Sequence, residues 1–308
     1  MDGAADRMRG AFPPTRAPGG EKGAAMAEKV TVPAVRARKG GPKIKMITAY
    51  DTPSARIADR AGADVILVGD SLANVVLGYP TTLQVDLEDM LHHSAAVSRA
   101  HPQALVVGDM PWLSYHVSVE EAVRNAGRFI RQGGAEAVKL EGGRKRLPVI
   151  EAVLAAEIPV MGHIGLTPQS VLAMGGYRVQ GKELEMARAL VADARALAAA
   201  GVFSLVLEGV PAPLAEVITA AVPVPTIGIG AGPSVDGQVL VFHDLLGLHQ
   251  EHLPKFVRPY AHLFDEAVTA VEAFFADVQS GAFPAAEESY AMPAEVVKAL
   301  RQEEGSAG

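Results

Sequence analysis

Asp70, Asp109 and Glu141 each close a short apolar run. Val65-Ile66-Leu67-Val68-Gly69 leads into Asp70, Leu105-Val106-Val107-Gly108 into Asp109, and Ala137-Val138-Lys139-Leu140 into Glu141. Two further runs end alike, Leu205-Val206-Leu207 at Glu208 and Lys45-Met46-Ile47-Thr48-Ala49-Tyr50 at Asp51. A single acid after a strand is ordinary turn or helix-cap chemistry, and Asp51, followed by Thr52-Pro53-Ser54, reads that way. Acids ending three consecutive strands ask for more, because carboxylates at neighbouring strand ends repel one another and need a compensating charge. A hard divalent cation supplies it, and an all-oxygen set favours Mg²⁺ over zinc. Lys139 stands two residues before Glu141, so strand alternation turns both side chains to one face. An ammonium there suits an anionic substrate group. Glu208, on a strand across from the others, is a candidate general base whose pKa an apolar setting would raise toward working pH. His163, in Met161-Gly162-His163-Ile164-Gly165, reads either as an orienting or proton-relay ring or as an interior histidine with its hydrogen bonds met. Gly228-Ile229-Gly230-Ala231-Gly232 suits either an anion cradle or a tight strand-to-loop turn. Trp112 and Tyr115 read as packing residues.

These groups meet only if the strand ends converge. Short β-branched runs bounded by glycine and alternating with helical patterns are buried parallel strands. They fall at residues 44–50, 65–69, 104–108, 136–140, 158–162, 204–208, 224–229 and 238–242. Helical patterns lie between them at 53–61, from about Asp86, at 119–132, 183–200 and 213–221, and in the tail at 261–278 and 294–301. Eight strands with crossover helices predict an α/β fold, a (β/α)8 TIM barrel, with the acids at the carboxyl ends of its strands. Met174-Gly175-Gly176-Tyr177-Arg178-Val179-Gln180-Gly181 is a glycine-flanked loop able to close over a ligand. Residues 1–40, rich in Gly, Ala, Pro, Arg and Lys, predict a disordered N-terminal extension. Met26 offers an alternative start that would leave residues 1–25 outside the native protein. Residues 41–308 then form a single barrel domain with C-terminal helices.

Hydrophobic residues make up 49% of the 308 and charged residues 20%, enough for a large core. The net charge of −7 disfavours a nucleic-acid partner, since neutralising phosphates takes clustered Lys and Arg. With no cysteine there is no disulfide, zinc-thiolate site or thiol nucleophile. No apolar stretch has the length of a membrane span, and the first residues lack the apolar core of a secretory signal. A cytoplasmic enzyme acting on small molecules, without a membrane, is the expectation.

Several longer motifs go further. Ile47-Thr48-Ala49-Tyr50-Asp51, Leu67-Val68-Gly69-Asp70-Ser71-Leu72, Val138-Lys139-Leu140-Glu141-Gly142-Gly143, Gly162-His163-Ile164-Gly165-Leu166-Thr167-Pro168-Gln169-Ser170, Gly175-Gly176-Tyr177-Arg178-Val179-Gln180-Gly181, Ile227-Gly228-Ile229-Gly230-Ala231-Gly232 and His243-Asp244 occur in this order. The series, from about Val30 to Tyr260, resembles the 3-methyl-2-oxobutanoate (ketopantoate) hydroxymethyltransferase family. The resemblance implies a barrel of the phosphoenolpyruvate/pyruvate type. It also implies transfer of a hydroxymethyl group from 5,10-methylenetetrahydrofolate to 3-methyl-2-oxobutanoate through a Mg²⁺-stabilised enolate, giving 2-dehydropantoate for pantothenate and coenzyme A synthesis. Position by position, it makes Asp70, Asp109 and Glu141 metal-site acids, Asp70, Ser71, Asp109 and Lys139 keto-acid contacts, and Glu208 the proton acceptor. A homo-oligomer, in many members a homodecamer, is implied as well. The chain departs from the pattern in its first 40 residues and at Thr52-Pro53, where an aromatic is common. Two other readings stand beside this one: another Mg²⁺-dependent enolate-forming C–C lyase of the same barrel type, and a non-catalytic keto-acid-binding homologue.

Overall fold

The computed structural model describes residues 28–248 and 253–306. Its eight strands are β1 (Ile44–Thr48), β2 (Val65–Val68), β3 (Leu105–Asp109), β4 (Ala137–Glu141), β5 (Val160–Gly165), β6 (Ser204–Glu208), β7 (Thr226–Ile229) and β8 (Gly237–Leu240). They pair in parallel in chain order, and β8 closes on β1. Each expected strand is present. β5 runs three residues beyond the expected end, which puts His163 on the strand and pairs it with Glu141 of β4.

Alternation along the strands sorts the side chains into two layers. Val65, Leu67, Leu105, Val107, Ala137, Met161 and Val206 belong to the cluster that fills the barrel interior. Ile66, Val68, Val106, Val138 and Leu140 pack outward with helix residues such as Phe129, Ile150 and Leu197. Fully burying each such aliphatic side chain stabilises the fold by roughly 1.5–3 kcal/mol. The inward parity continues upward from Val107 to Asp109, from Ala137 to Lys139 and Glu141, from Met161 to His163, and from Val206 to Glu208. The polar site is therefore the top of the same stack whose lower layers are apolar.

Helix starts follow local chemistry. Asp51 accepts from Ser54 N at 2.7 Å and caps helix Thr52–Arg60, as read from the sequence. Asp86 and Asp89 form a capping box at the start of helix Leu87–Ser98.

The extension expected over residues 1–40 needs a correction at its inner end. Residues 1–27 lie outside the described residues, but residues 28–40 are folded onto the barrel. Helix Val32–Arg36 starts at a Thr31 cap, and Val35 is fully buried in the barrel-interior cluster. The segment is anchored by ions at the amino ends of the strands. Lys29 pairs with Glu136 at 2.6 Å, Arg38 with Asp64 at 2.8 Å, and Lys39 with Asp236 at 2.9 Å. A composition scan misses such a plug because only Val35 is fully buried, with Val30 and Val32 packed against the same cluster, while charges do much of the fastening.

At the other end, helices Leu263–Ser280 and Ala294–Ser306 bury no residue. Among the described residues no helix is long and apolar enough to cross a membrane.

Candidate active site

Asp70, Asp109, Lys139, Glu141 and His163 are all buried at the carboxyl end of the barrel. Lys139 Nζ lies 2.7 Å from Asp109 Oδ1 and 3.8 Å from Glu141 Oε1. The His163 ring spans two acids, its Nδ1 3.3 Å from Glu141 Oε1 and its Nε2 3.3 Å from Glu208 Oε2. Asp70 is one step out of the inward parity, on the turn after Gly69, and its backbone N donates to Asp109 Oδ2 at 3.2 Å. Ser71 follows it, its hydroxyl 2.9 Å from Tyr50 Oη. Glu208 is the most open of the acids, its side chain 17% exposed.

Burial and mutual charge set the protonation of this cluster. Burial, then repulsion from Asp109 and Glu141, pushes Asp70 well above the usual carboxylate range. Burial raises Asp109 against the pull of Lys139. Burial would raise Glu141 too, but its contacts with His163, Lys139 and the Gln169 N–H outweigh that and hold it low. Burial and the Lys139 charge work against a proton on His163, yet Glu141 and Glu208 prevail and lift it to about 9. Attraction to Asp109, Glu141 and Asp70 likewise keeps Lys139 charged against its burial. Three buried carboxylates, with Glu208 beside them, thus face two buried cations. The setting of Glu208 is a protonated imidazole, not the apolar pocket expected from sequence.

An all-oxygen donor set of this kind suits a hard cation, which would take the place of the proton that burial and repulsion hold on Asp70. Asp109 Oδ1 is buried without a hydrogen bond, its counter-charge being the Lys139 ammonium. Among the described residues, however, no three His, Asp or Glu side chains are arranged as a ready metal cage. Asp70 and Asp109 face each other, while the oxygens of Glu141 are engaged by His163 and by Gln169 N at 3.1 Å.

Sequence reasoning gave no role to Gln169, yet it joins the cluster. Its amide nitrogen donates to Asp70 Oδ2 at 2.9 Å and to Met110 O at 3.0 Å. Its carbonyl accepts from Tyr115 Oη at 2.5 Å, and Tyr115 Oη accepts from Glu141 N at 3.2 Å. Tyr115 is therefore a polar tie as well as a packing residue. The one signal was Thr167-Pro168-Gln169, a turn placed directly after β5.

The Gly228–Gly232 segment takes its plainer form, a packed turn. Gly230 has φ 64°, and a Cβ there would sit 2.7 Å from the Phe256 ring. Tyr177 stands half-exposed above the cluster; partial burial, then the charges of Asp70, Glu208 and Glu141, raise its hydroxyl.

A family model described as ketopantoate hydroxymethyltransferase matches residues 29–286. The 3-methyl-2-oxobutanoate hydroxymethyltransferase of Moorella thermoacetica is 57% identical over 267 residues, covering 86% of this chain and 99% of its own length. That of Syntrophomonas wolfei is 56% identical, covering 88% of this chain and 99% of its own. Solved structures of the same architecture include phosphonopyruvate hydrolase, with TM-score 0.56, 15% identity and coverage of 91% of this chain and 97% of that one. Another is 2,3-dimethylmalate lyase of the PEP mutase/isocitrate lyase superfamily, with TM-score 0.53, 19% identity and coverage of 90% and 98%. Likeness at such identity speaks for the fold alone, a closed barrel of eight parallel strands with helices around it.

Proposed function

The chain belongs to the ketopantoate hydroxymethyltransferase family, and on that premise we propose that it transfers a hydroxymethyl group from 5,10-methylenetetrahydrofolate to 3-methyl-2-oxobutanoate, giving 2-dehydropantoate. The observation that carries this reading is the row Glu141–His163–Glu208, which ends in the one acid of the cluster open to a ligand. Glu208 takes the proton from C3 of the keto acid, and the carbon so freed forms its bond to the donor's methylene carbon. Breaking that carbon's bonds to the two folate nitrogens, which take up protons, releases tetrahydrofolate, and one water supplies the oxygen of the new hydroxymethyl group. His163, charged and held by Glu141, fixes the Glu208 carboxylate and balances its charge. Lys139 and the Ser71 hydroxyl hold the keto acid's carboxylate, within reach of Asp70 and Asp109. Asp70 and Asp109 would hold Mg²⁺, with Glu141 adding charge behind them. Such a cation supplies Lewis-acid stabilisation of the negative charge that develops as C3 loses its proton. Gln169 keeps Asp70 and Glu141 apart and oriented. The Tyr177 loop closes over the site and excludes bulk water, leaving the one water that the reaction consumes.

A cytoplasmic homo-oligomer goes with this reading. Its support is helix Leu263–Ser280, where Val268, Val271, Phe275 and Val278 share one exposed face.

The test is C3 proton–deuterium exchange of 3-methyl-2-oxobutanoate followed by NMR, with Mg²⁺ or with EDTA, before the folate is added. Metal-dependent exchange followed by 2-dehydropantoate is the expected result. Exchange without product would favour a C–C lyase that uses another donor. No exchange from folded, metal-loaded protein would favour a non-catalytic keto-acid binder.

A further inference from the structure

Beyond Glu141 the chain runs through Gly142-Gly143 into the turn Arg144–Arg146. Arg144 is committed, its Nε 2.7 Å from Asp193. Lys145 and Arg146 have no carboxylate within ion-pair distance among the described residues. The Arg146 guanidinium lies 5.5 Å from the centre of the Tyr115 ring, and its Nε is buried with no hydrogen-bond partner. His116 lies against the same ring, 4.2 Å between centroids and tilted by 42°, and its Nδ1 is also buried without a hydrogen-bond partner. Two buried nitrogens against one aromatic ring, beside a free ammonium, have no acceptor among the described residues, so the corner can take an acceptor from outside the chain, a water or an anionic ligand. Burial, then the charges of Arg146 and Lys145, push His116 down to about 4, a sign of the positive potential there.

Tyr115 separates this cationic corner from the acid cluster, since its hydroxyl is tied to Gln169 and Glu141. A ligand with an anionic tail is repelled by the acids and drawn to the far side of the ring. The loop at residues 110–118 adds exposed Trp112, Leu113 and Val117, with Leu113 held at φ 69°. A non-glycine residue in that region is strained and marks functional loops.

We propose that Arg146, with Lys145 and His116, forms a carboxylate subsite that receives the glutamyl tail of the one-carbon donor. The assignment rests on the folate reading above. The small keto acid does not need the corner, because its carboxylate is met by Lys139 and Ser71; the donor brings carboxylates of its own.

Trp112 is the single tryptophan of the chain, so its fluorescence reports on this loop independently of turnover. Tetrahydropteroate, which lacks glutamate, and mono- and triglutamyl tetrahydrofolate are titrated into the full chain with Mg²⁺ and keto acid. The native protein is expected to prefer the triglutamyl form to the pteroate by about tenfold or more, about 1.4 kcal/mol per factor of ten. Arg146→Ala is expected to reduce that ratio about tenfold, Arg146→Lys to restore part of it, and Arg144→Ala to preserve it. Equal affinity for all three donors in the native protein, or equal weakening of all three by Arg146→Ala, overturns the subsite. Quenching by free glutarate without donor discrimination overturns it in favour of a free anion. C3 exchange distinguishes the two levels: a lost preference with intact exchange removes the subsite alone, while absent exchange removes the functional reading.

Discussion

Glu141 and Glu208 stand on either side of one imidazole, and that ring is charged because both acids outweigh its burial and the repulsion of Lys139. Such a ring holds the Glu208 carboxylate in place beside the substrate. Glu208→Gln keeps the shape and removes the basicity. C3 exchange in that variant is expected to fall by about 10²–10⁴ while keto-acid binding, read by calorimetry, persists; exchange at the native rate would remove Glu208 from the base role. Sequence spacing pointed to Asp70, Asp109, Lys139, Glu141, His163 and Glu208, since strand parity and the acid at each run's end are local properties. Gln169 was invisible to that reasoning. Its links to Asp70, Met110, Glu141 and Tyr115 reach across 28 to 99 residues of chain, and a neutral amide in a turn carries no signature of its own.

At the level of elements, the site depends on how β5 and β6 end. Gly165 pairs with Glu208, takes φ 100°, and an added Cβ would lie 2.3 Å from the Glu208 carbonyl oxygen. Only glycine permits both the left-handed turn and that approach. Gly165→Ala must push the end of β6 outward and carry the Glu208 carboxylate away from His163. A displacement near 1 Å costs about 10²-fold in rate, so kcat should fall by about that factor while KM for the keto acid changes little. A native kcat in Gly165→Ala would show that the strand ends tolerate the shift. The extension of β5 to Gly165 beyond the expected end has a related cause: a strand continues while its neighbours offer ladder partners, and those neighbours are not visible in its own sequence.

For the whole molecule, the amino-terminal plug is a charged fastening under an apolar barrel. Asp236 receives hydrogen bonds from Thr226 N at 2.8 Å and Gly40 N at 2.9 Å, besides Lys39 at 2.9 Å. Burial alone would raise its pKa, but these contacts prevail and lower it. A depressed folded pKa means stability that is present above the unfolded value of about 3.9 and is lost as pH falls through the folded one. Asp236→Asn should therefore cost about 1–3 kcal/mol at pH near 7, with the gap to the native protein narrowing below about pH 4. Thermal melts at both pH values check this, and an equal gap at both would deny the charge its role. At the opposite end of the chain, Phe275 is 57% exposed on an apolar helix face. Phe275→Glu is expected to shift the protein to a smaller species in light scattering without loss of the barrel's circular dichroism; an unchanged mass would place the subunit interface elsewhere.

Eight strands, their order around the barrel and the acids at their ends were determined by sequence alone. Apolar alternation and turn residues act between near neighbours, and a closed parallel barrel has few other ways to bury them. The plug at residues 28–40, the Gln169–Tyr115 tie and the protonation of His163 were decided only by tertiary structure. Each depends on charges or hydrogen bonds between groups far apart in the chain, whose energies exist only once the barrel has excluded water from between them.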